Sequence, residues 1–294
     1  MSKLPRVAAV TMVRNEGRML QKWVDHYGGQ LGNDHLVVID DNSDDGSTDR
    51  VDCKVKRIRP ITGEFEPARM RIVSEVARKL LRRHDAVVFA DADEFIVPDP
   101  ERYAGLLDFV AAHRDVPAVG VMCLNVVHHL AAEGPLDYER PFLDQRQVAT
   151  FVPLFCKPAV KFVKNSWAAG SHGLAGATFQ VSPELYMFHM KFADRGHLER
   201  TAAERHRLMV EEGKAGATSW RFTSDEMVAL LDEVNAKIPA DAAELPPFVP
   251  APKRIAEIAQ TFPGGLTRAT GGRQVSAMRA RPPRRIPPRF RGLV

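Results

Sequence analysis

One stretch organises this chain: Val87-Val88-Phe89-Ala90-Asp91-Ala92-Asp93-Glu94-Phe95-Ile96. Its first four residues are apolar or small and too few for a helix, which predicts a short buried strand. In an extended segment alternate side chains share a face, so Asp91 and Asp93 are expected to point the same way. Two close carboxylates repel each other unless a cation lies between them. Hard oxygen ligands suit Mg²⁺ or Mn²⁺; an acidic strand end that simply faces water gives the same pattern.

The composition is that of an ordinary soluble globular protein. The 294 residues are 45% hydrophobic and 27% charged, enough for one large domain or two. The chain has no run of 18 apolar residues and no apolar signal segment at its start. Cys53, Cys123 and Cys156 are odd in number and widely spaced. They match neither a disulfide framework nor a Cys-x-x-Cys metal site, so we expect a protein of the reducing cytoplasm.

The formal net charge of +4 is unevenly distributed. Residues 268–294 contain eight arginines and no acid, which leaves residues 1–267 with a net charge of −4. A body of that charge is not expected to bind nucleic acid. The basic tail has two interpretations: a solvated tail that only aids solubility, or a peripheral contact with the anionic inner face of the membrane. Its arginines are Arg268, Arg273, Arg279, Arg281, Arg284, Arg285, Arg289 and Arg291.

Apolar runs alternate with helical stripes in the first third of the chain. Strands are predicted at 7–13, 35–39, 54–58 and 86–90, and amphipathic helices at 19–27 and 68–83. This rhythm predicts an α/β fold with a mainly parallel sheet flanked by helices. Ligands of such open sheets bind outside the carboxyl ends of the strands. The loops at Arg14, Asp41 and Asp91 should therefore converge on one cleft.

Several motifs occur in order along roughly residues 5–200. They are Val13-Arg14-Asn15-Glu16 followed by Trp23, His26-Tyr27 and Leu31-Gly32; Asp41-Asn42-Ser43 with Asp45-Gly46; and Asp91-Ala92-Asp93-Glu94-Phe95. Together this set resembles family 2 glycosyltransferases of the GT-A fold. The resemblance implies a GT-A type sheet, a nucleotide-sugar donor (a UDP- or GDP-sugar), a divalent metal, Mn²⁺ or Mg²⁺, and transfer of a sugar to a hydroxyl acceptor.

The resemblance also implies a metal site. Asp93 matches the principal metal ligand of the family, and Asp91 matches the position that binds through water or ribose. His172 lies among small residues in a loop and is the candidate third ligand. His189, on an apolar strand, is interpreted as a structural histidine. Glu94 has two interpretations, orientation of the site or simple exposure to solvent.

Donor binding is implied for a second group of residues. Asp41 matches the carboxylate that reads the nucleotide base; an Asx-type turn is the alternative. Arg69 matches a family arginine near the donor, with a solvated charge at the start of a helix as the alternative. The loop Arg14, Asn15 and Glu16 is expected to contact the donor, as is Asp91. Three lysines are candidates for the diphosphate or ordinary surface residues: Lys157, Lys161 and Lys164.

The expected metal acts as a Lewis acid on the departing nucleoside diphosphate, held by Asp91, Asp93 and His172. An inverting enzyme also needs a carboxylate to take the acceptor proton. The chain departs from the family here, because it has no clear counterpart of the usual base. Asp137, Glu139 and Asp194 are the candidates for that catalytic role.

The second half of the chain predicts less. Short apolar runs between 148 and 192 predict a smaller mixed sheet on the acceptor side, and helices are predicted at 101–113, 198–212 and 225–236. We expect a GT-A glycosyltransferase domain at 1–215 and a C-terminal helix at 216–238. Residues 239–294 are expected to be a Pro/Arg-rich linker and a basic tail, disordered in isolation.

The predicted function is therefore sugar transfer to a glycan or lipid-linked acceptor, in surface polysaccharide or glycolipid synthesis. A nucleotidyltransferase and a non-catalytic binding module for nucleotide-sugars or glycans are the alternatives. An aspartate-nucleophile phosphatase shares the strand-Asp-x-Asp pattern but requires Thr or Val where Phe95 stands.

Overall fold

A computed structural model describes residues 4–61, 64–211, 218–271 and 275–294. Its strands are β1 (Val7–Val13), β2 (Leu36–Asp40), β3 (Lys54–Arg57), β4 (Ala86–Phe89), β5 (Glu94–Pro98), β6 (Ala118–Val127), β7 (Val148–Phe151), β8 (Pro158–Lys161), β9 (Gly173–Ala175), β10 (Gln180–Phe192), β11 (Ala259–Phe262), β12 (Leu266–Ala269) and β13 (Pro283–Arg285). Its α-helices are α1 (Gly17–Leu31), α2 (Phe65–Leu80), α3 (Leu106–Ala112), α4 (Phe142–Gln145), α5 (Arg195–Glu211), α6 (Ser224–Asn235) and α7 (Pro252–Ala256).

A ten-stranded sheet forms the centre of the fold, in the order β13-β7-β6-β8-β4-β1-β2-β3, with β10 paired to β6 and β5 paired to β10. Strands β3, β2, β1 and β4 run parallel to one another. Strand β10 is parallel to β6 and antiparallel to β5. A smaller antiparallel sheet, β11-β12-β9, lies beside it. The predicted α/β class, with a parallel sheet flanked by helices and a smaller second sheet, is confirmed.

The central strands are apolar throughout because both of their faces are covered. On β1, Ala8 and Val10 belong to one hydrophobic core, and Val7 and Ala9 belong to the other. Helix α2 packs on the first core and α1 on the second. A strand that is buried on both faces needs a continuous apolar run. The same covering leaves the carboxyl ends of the strands as the place where polar loops can gather.

The second half contains the predicted helices with shifted bounds. Helix α6 begins with the predicted capping box, in which Thr223 and Glu226 bond reciprocally to each other's backbone. Helices α5 and α6 share a third hydrophobic core with β7. Cys53, Cys123 and Cys156 are free thiols. Among the helices of the described residues, none has the length and apolar character needed to cross a bilayer.

The described part of residues 239–294, a segment expected to be disordered in isolation, is folded onto the rest of the chain. Strand β13 pairs with β7 and forms an edge of the large sheet, a position that tolerates its proline. Phe290 is fully buried against Tyr186 and Phe188. Arg289 pairs with Asp99 at 3.0 Å and donates to the Tyr186 hydroxyl. Composition suggested a free tail because so few of these residues are apolar, yet backbone pairing and one buried aromatic side chain hold the segment.

The arginines of this segment consequently have protein partners at several positions. Arg279 forms an ion pair with Glu233 at 2.7 Å. Arg281 and Arg285 donate to the backbone carbonyls of Gly271 and Ala243. Arg273 lies outside the described residues. The described part of this segment is therefore not a free tail, and a contact of its arginines with a membrane stays a prediction.

Candidate functional site

A cavity of about 760 Å³ opens at the carboxyl ends of β1, β2 and β4. The loops that follow these strands meet there, as predicted from the sequence. Strand β10 and helix α5 contribute the opposite wall. The cavity brings together these residues predicted from the sequence: Arg14, Asn15, Glu16, Asp41, Arg69, Asp91, Asp93, Lys157 and His172.

Reciprocal hydrogen bonds hold the loops after β1 and β2 together. Asn15, at a positive φ of 56°, donates from its side chain to Asp44 at 2.9 Å and accepts from the Asp44 backbone N–H at 2.9 Å. The backbone N–H of Asn15 donates to the Ser43 hydroxyl, and that of Gly17 to the Asp45 carboxylate. Asn15 lines the cavity, but its bonds make it chiefly a clamp between the two loops.

The acidic stretch after β4 is a turn rather than an extended segment. The Glu94 N–H donates to the Asp91 carbonyl at 3.0 Å, and the Glu94 carboxylate accepts from the Asp91 N–H at 2.7 Å. Asp91 and Asp93 therefore reach the same cavity through a turn, and the prediction from strand alternation was wrong about the geometry. Glu94 is buried and also accepts a hydrogen bond from Lys157. Its carboxylate orients the turn, which excludes the interpretation of simple solvent exposure.

Asp91 lies against protein cations. The Arg69 guanidinium donates to it at 2.8 Å and pairs with Glu66 at 3.0 Å, while the Lys157 ammonium lies 3.8 Å away. Burial alone would raise the pKa of Asp91, but Arg69 and Lys157 outweigh it and lower this pKa to about 2. With 13% of its side chain exposed, Arg69 is not a solvated charge at a helix start. We refer to Asp91, Glu66, Arg69 and Lys157 as the Asp91 half of the cavity.

Asp93 lies in a different environment. Its carboxylate is 3.6 Å from Nε2 of His189, whose Nδ1 lies 2.9 Å from Oδ1 of Asn125. The Asn125 amide donates to a backbone carbonyl, so Oδ1 accepts from Nδ1–H and Nε2 faces Asp93. Burial opposes ionisation of Asp93, but His189 outweighs it and holds the pKa of Asp93 below its usual range. Lys191 and Arg205 lie nearby. We refer to Asp93, His189, Lys191 and Arg205 as the Asp93 half of the cavity.

The donor set of the Asp93 half suits a divalent cation. A carboxylate oxygen and an imidazole nitrogen 3.6 Å apart can both ligate one Mn²⁺ or Mg²⁺. Such ions often take only one or two protein carboxylates and complete their shell with water and substrate phosphates. In the described part of the chain, no group of three or more His, Cys, Asp or Glu side chains could hold a metal ion. Asp93 and His189 therefore fit a metal ion that has two protein ligands.

His172 occupies the other half of the cavity. Its electrostatic neighbours include Lys157, Asp91 and Arg268, and burial lowers its pKa to about 3. The Nδ1 atom is buried and has no hydrogen-bond partner among the described residues. A neutral imidazole in this position can receive a ligand. The structure nevertheless brings His189, rather than His172, beside Asp93.

Sequence reasoning interpreted His189 as a structural histidine and did not predict its position beside Asp93. Strand β10 contains Leu185-Tyr186-Met187-Phe188-His189-Met190-Lys191, in which His189 and Lys191 are the only polar side chains other than Tyr186. Their spacing of two puts both on one face of the strand. That interruption of an apolar run was the signal that could have identified them.

Asp41 and two aromatic rings also line the cavity. Asp41 is buried, and its Oδ1 accepts from the Ile61 N–H at 3.1 Å. Phe65 and Trp220 both line the cavity, with their ring centroids 4.8 Å apart. Neither aromatic was singled out from the sequence, because a lone Phe or Trp carries no motif.

The carboxylates predicted as bases lie outside the cavity wall. Asp194 caps the first turn of α5, accepting from the His197 N–H at 2.7 Å and from the Leu136 N–H at 2.9 Å. Asp137 accepts from a backbone N–H in a turn, and Glu139 pairs with Arg18. The structure therefore does not bring these three residues into the cavity wall. Lys161 and Lys164 are also absent from the wall described.

Glu16 differs from the three carboxylates predicted as bases, because it lines the cavity. Burial raises the pKa of its carboxyl to about 7, with Asp93 and Asp91 acting in the same direction against Arg205. Arg205 lies 3.4 Å from Oε1 of Glu16. The Oε2 atom is buried and has no hydrogen-bond partner among the described residues. This oxygen is available to a ligand in the cavity.

Comparison with known proteins gives little beyond these observations. No family model matches the chain, and no curated protein matches its sequence. The chain is similar to the mannosyltransferase PcManGT from Pyrobaculum calidifontis, solved in complex with GDP-Man and Mn²⁺, at 17% identity and a TM-score of 0.37, covering 80% of this chain and 72% of that one. It is also similar to mannose-1-phosphate geranyltransferase from Thermus thermophilus, at 10% identity and a TM-score of 0.29, covering 74% of this chain and 66% of that one. Scores this low support no inference about activity.

Proposed function

We propose that this chain is a metal-dependent glycosyltransferase that moves a sugar from a nucleotide-sugar donor to an acceptor hydroxyl. The observation that carries this proposal is the pair Asp93 and His189, directed at each other across 3.6 Å inside a cavity that also holds Asp41 and a set of cations. A nucleoside diphosphate presents a base, a ribose and two phosphates. The cavity offers a carboxylate, aromatic rings and cations that suit those parts.

Asp93 and His189 would hold the Mn²⁺ or Mg²⁺. When bound, that ion supplies Lewis-acid stabilisation of the charge on the departing diphosphate. Arg205 and Lys191 add positive charge beside Asp93. Arg69 and Lys157 fix the position of Asp91, which leaves Asp91 to contact water or ribose rather than the ion directly. The Asp41 carboxylate would accept hydrogen bonds from the N–H groups of the base.

Glu16 would take the proton of the attacking hydroxyl. A base is most effective when its pKa lies near the working pH, and the buried Glu16 carboxyl has a pKa of about 7. Its free Oε2 supplies the acceptor atom. In this role Glu16→Gln should lower kcat far more than it changes KM. An unchanged kcat would remove Glu16 from the mechanism. The acceptor itself, predicted to be a glycan or lipid-linked molecule of surface polysaccharide or glycolipid synthesis, stays a prediction, as does a cytoplasmic location.

The proposal is tested by donor binding and donor hydrolysis. UDP- and GDP-sugars are screened with and without Mn²⁺ for a rise in Tm, and the stabilising donor is then assayed for slow hydrolysis without acceptor. A ligand at 100 times its Kd stabilises the fold by about 2.7 kcal/mol. We expect Mn²⁺-dependent stabilisation and hydrolysis. Stabilisation without any hydrolysis would favour a binding module, and the absence of both would refute the proposal.

The variant Asp41→Asn tests whether Asp41 recognises the nucleotide base of the donor. The asparagine keeps an oxygen for the Ile61 N–H but loses the charge, so donor affinity should fall by roughly tens-fold, the equivalent of about 1.5–3 kcal/mol for a charged hydrogen bond. Asp137→Asn is the matched control, because that carboxylate lies in a turn outside the cavity. Equal donor binding by Asp41→Asn and the parent would exclude base recognition by Asp41.

A further inference from the structure

The cavity contains more cations than its described ion pairs account for. Arg69 pairs with Glu66 and Asp91, and Arg205 pairs with Glu16. Arg268 also lines the cavity. Its guanidinium forms no ion pair or hydrogen bond with any group of the described residues. A guanidinium in a cavity without a protein anion is suited to an anion of the substrate.

Arg268 belongs to the C-terminal segment; its side chain is exposed, and its backbone is held in a strand at the cavity wall. It sits on β12, opposite Gly173 on β9, in the small antiparallel sheet. The Ala269 N–H donates to the carbonyl of His172 at 2.9 Å. A Cβ on Gly173 would lie 2.5 Å from the Thr267 carbonyl oxygen, so the strands approach this closely only because residue 173 is glycine. The loop that carries His172 and the strand that carries Arg268 therefore form one wall.

This wall belongs to the Asp91 half of the cavity. The charges that act on the His172 imidazole are those of Lys157, Asp91, Arg268 and Arg69. Arg69 and Lys157 are already paired with carboxylates, as described above. Arg268, in contrast, has no carboxylate partner among the described residues, so its positive charge can bind an anionic ligand. Because a guanidinium forms two parallel hydrogen bonds to phosphate oxygens, a phosphate group is the ligand that it matches best.

We propose that Arg268 binds a phosphate group of the nucleoside diphosphate moiety of the donor, so that the C-terminal segment forms part of the substrate site. This inference rests on the proposed transferase function. It also differs from both interpretations of residues 268–294 that the sequence offered, a solvated tail and a membrane contact. Removal of that segment would take Arg268 from the cavity, β13 from the sheet and Phe290 from the core.

The test is calorimetric titration of the full chain, with Mn²⁺ present, using GDP, UDP, guanosine and uridine. The variants are Arg268→Gln, Arg268→Lys and the control Arg291→Gln, which removes an exposed arginine of the same segment. For the nucleotide that the parent binds, Arg268→Gln should weaken nucleoside diphosphate binding by roughly tens-fold, as expected for a charged hydrogen bond. Arg268→Lys should recover part of this loss, because it keeps the charge without the two-pronged geometry. Arg291→Gln should bind as the parent does.

The free nucleosides distinguish a phosphate contact from a distorted site. Their binding should be the same for Arg268→Gln and the parent, because a nucleoside has no phosphate. Equal nucleoside diphosphate binding by Arg268→Gln and the parent would overturn the inference and leave the proposed function standing. An equal loss for nucleoside and nucleoside diphosphate would overturn it as well, since the cause would be the shape of the site. Failure of the parent to bind GDP or UDP would refute both proposals.

Discussion

The two aspartates that follow β4 stand two residues apart in one turn, yet they are neutralised in different ways. Asp91 has 32% of its side chain exposed and lies against Arg69 and Lys157, both supplied by the protein. Asp93 has only 5% exposed and faces a histidine nitrogen across 3.6 Å. Both carboxyl pKa values are lowered. Asp91 is therefore bonded directly to a protein cation, Arg69, whereas the nearest partner described for Asp93 is an imidazole that can share a metal ion with it.

This difference separates two roles that an Asp-x-Asp motif does not distinguish by itself. A carboxylate already bonded to arginine is a poor ligand for a metal, because ligation would have to displace a charged hydrogen bond. A buried carboxylate beside an oriented imidazole is a good one. We infer that substitution in the Asp93 half affects mainly metal-dependent chemistry. Substitution in the Asp91 half should affect mainly the stability and shape of the site.

The largest effect is expected for Asp93→Asn. The amide has nearly the same shape but no charge, so metal-dependent turnover should fall by more than roughly 100-fold. Loss of a residue that only hydrogen-bonds to a metal ligand already costs up to about 100-fold. The melting temperature without metal should also fall, because the lowered pKa of Asp93 means that its ionised form stabilises the folded chain. Turnover is measured over a Mn²⁺ titration, with Asp137→Asn as control. Turnover near that of the parent would show that the metal-dependent reaction does not need the Asp93 carboxylate.

Replacement of the two cavity histidines gives the next largest effect and sharpens the comparison. His189→Ala should raise the Mn²⁺ concentration needed for half-maximal stabilisation by roughly 10–100-fold. His172→Ala, in the Asp91 half, should leave this concentration nearly unchanged. Both are measured as Tm against Mn²⁺ concentration with a fixed nucleoside diphosphate. If His172→Ala has the larger effect, the metal lies in the Asp91 half and the sequence-based choice of His172 is the better one.

Asp91→Asn should have a smaller effect, and mainly on stability. It leaves Arg69 with Glu66 alone, and loss of a hydrogen bond between charged groups costs about 1.5–3 kcal/mol. Arg69→Met should be destabilising for the same reason. Because the two residues are in direct contact, the double variant should lose less than the sum of the single variants, by at least about 0.5 kcal/mol. Urea denaturation of the four proteins measures this coupling; strict additivity would show that the ion pair contributes nothing to the fold.

Sequence reasoning succeeded where the signal was local. Continuous apolar runs located β1, β2 and β4, because strands covered on both faces need no polar residues. The position of acidic loops after these strands then located the cavity, since carboxyl ends of parallel strands lie at one edge. The capping box of α6 was likewise readable, because it involves only residues three apart.

Sequence reasoning failed where the pairing of strands that are distant in the sequence determined which residues reach the cavity. His189 stands beside Asp93 because β10 pairs with β5 in a register that sets His189 opposite Glu94. No pattern within β10 specifies that register. Strands β12 and β13 were hidden by a composition typical of disorder, because their pairing is made by backbone groups. Arg268 reaches the cavity only through the contact of β12 with β9.

The smallest effect concerns the support behind the Asp93 half, and it depends on pH. Helix α1 fixes the start of β5 through His26, whose Nε2 donates to the Ile96 carbonyl at 3.0 Å, and through Tyr27, which donates to the Glu94 carbonyl. Burial lowers the pKa of His26 from 6.5 to about 4. The unfolded chain therefore binds a proton between pH 6.5 and about 4 that the folded chain excludes, and stability is lost as the pH falls through this window.

His26→Gln keeps a donor for the Ile96 carbonyl but does not titrate. It should therefore lose less stability than the parent between about pH 7 and about pH 4.5, by roughly 1–3 kcal/mol. Urea denaturation at both pH values measures the difference, with His113→Gln as a control histidine replacement. A pH dependence identical to that of the parent would show that His26 does not couple protonation to this support. If the variant also keeps full metal-dependent turnover at neutral pH, α1 supports Asp93 without setting its chemistry. A loss of turnover with an unchanged fold would instead make the α1–β5 contact part of what distinguishes Asp93 from Asp91.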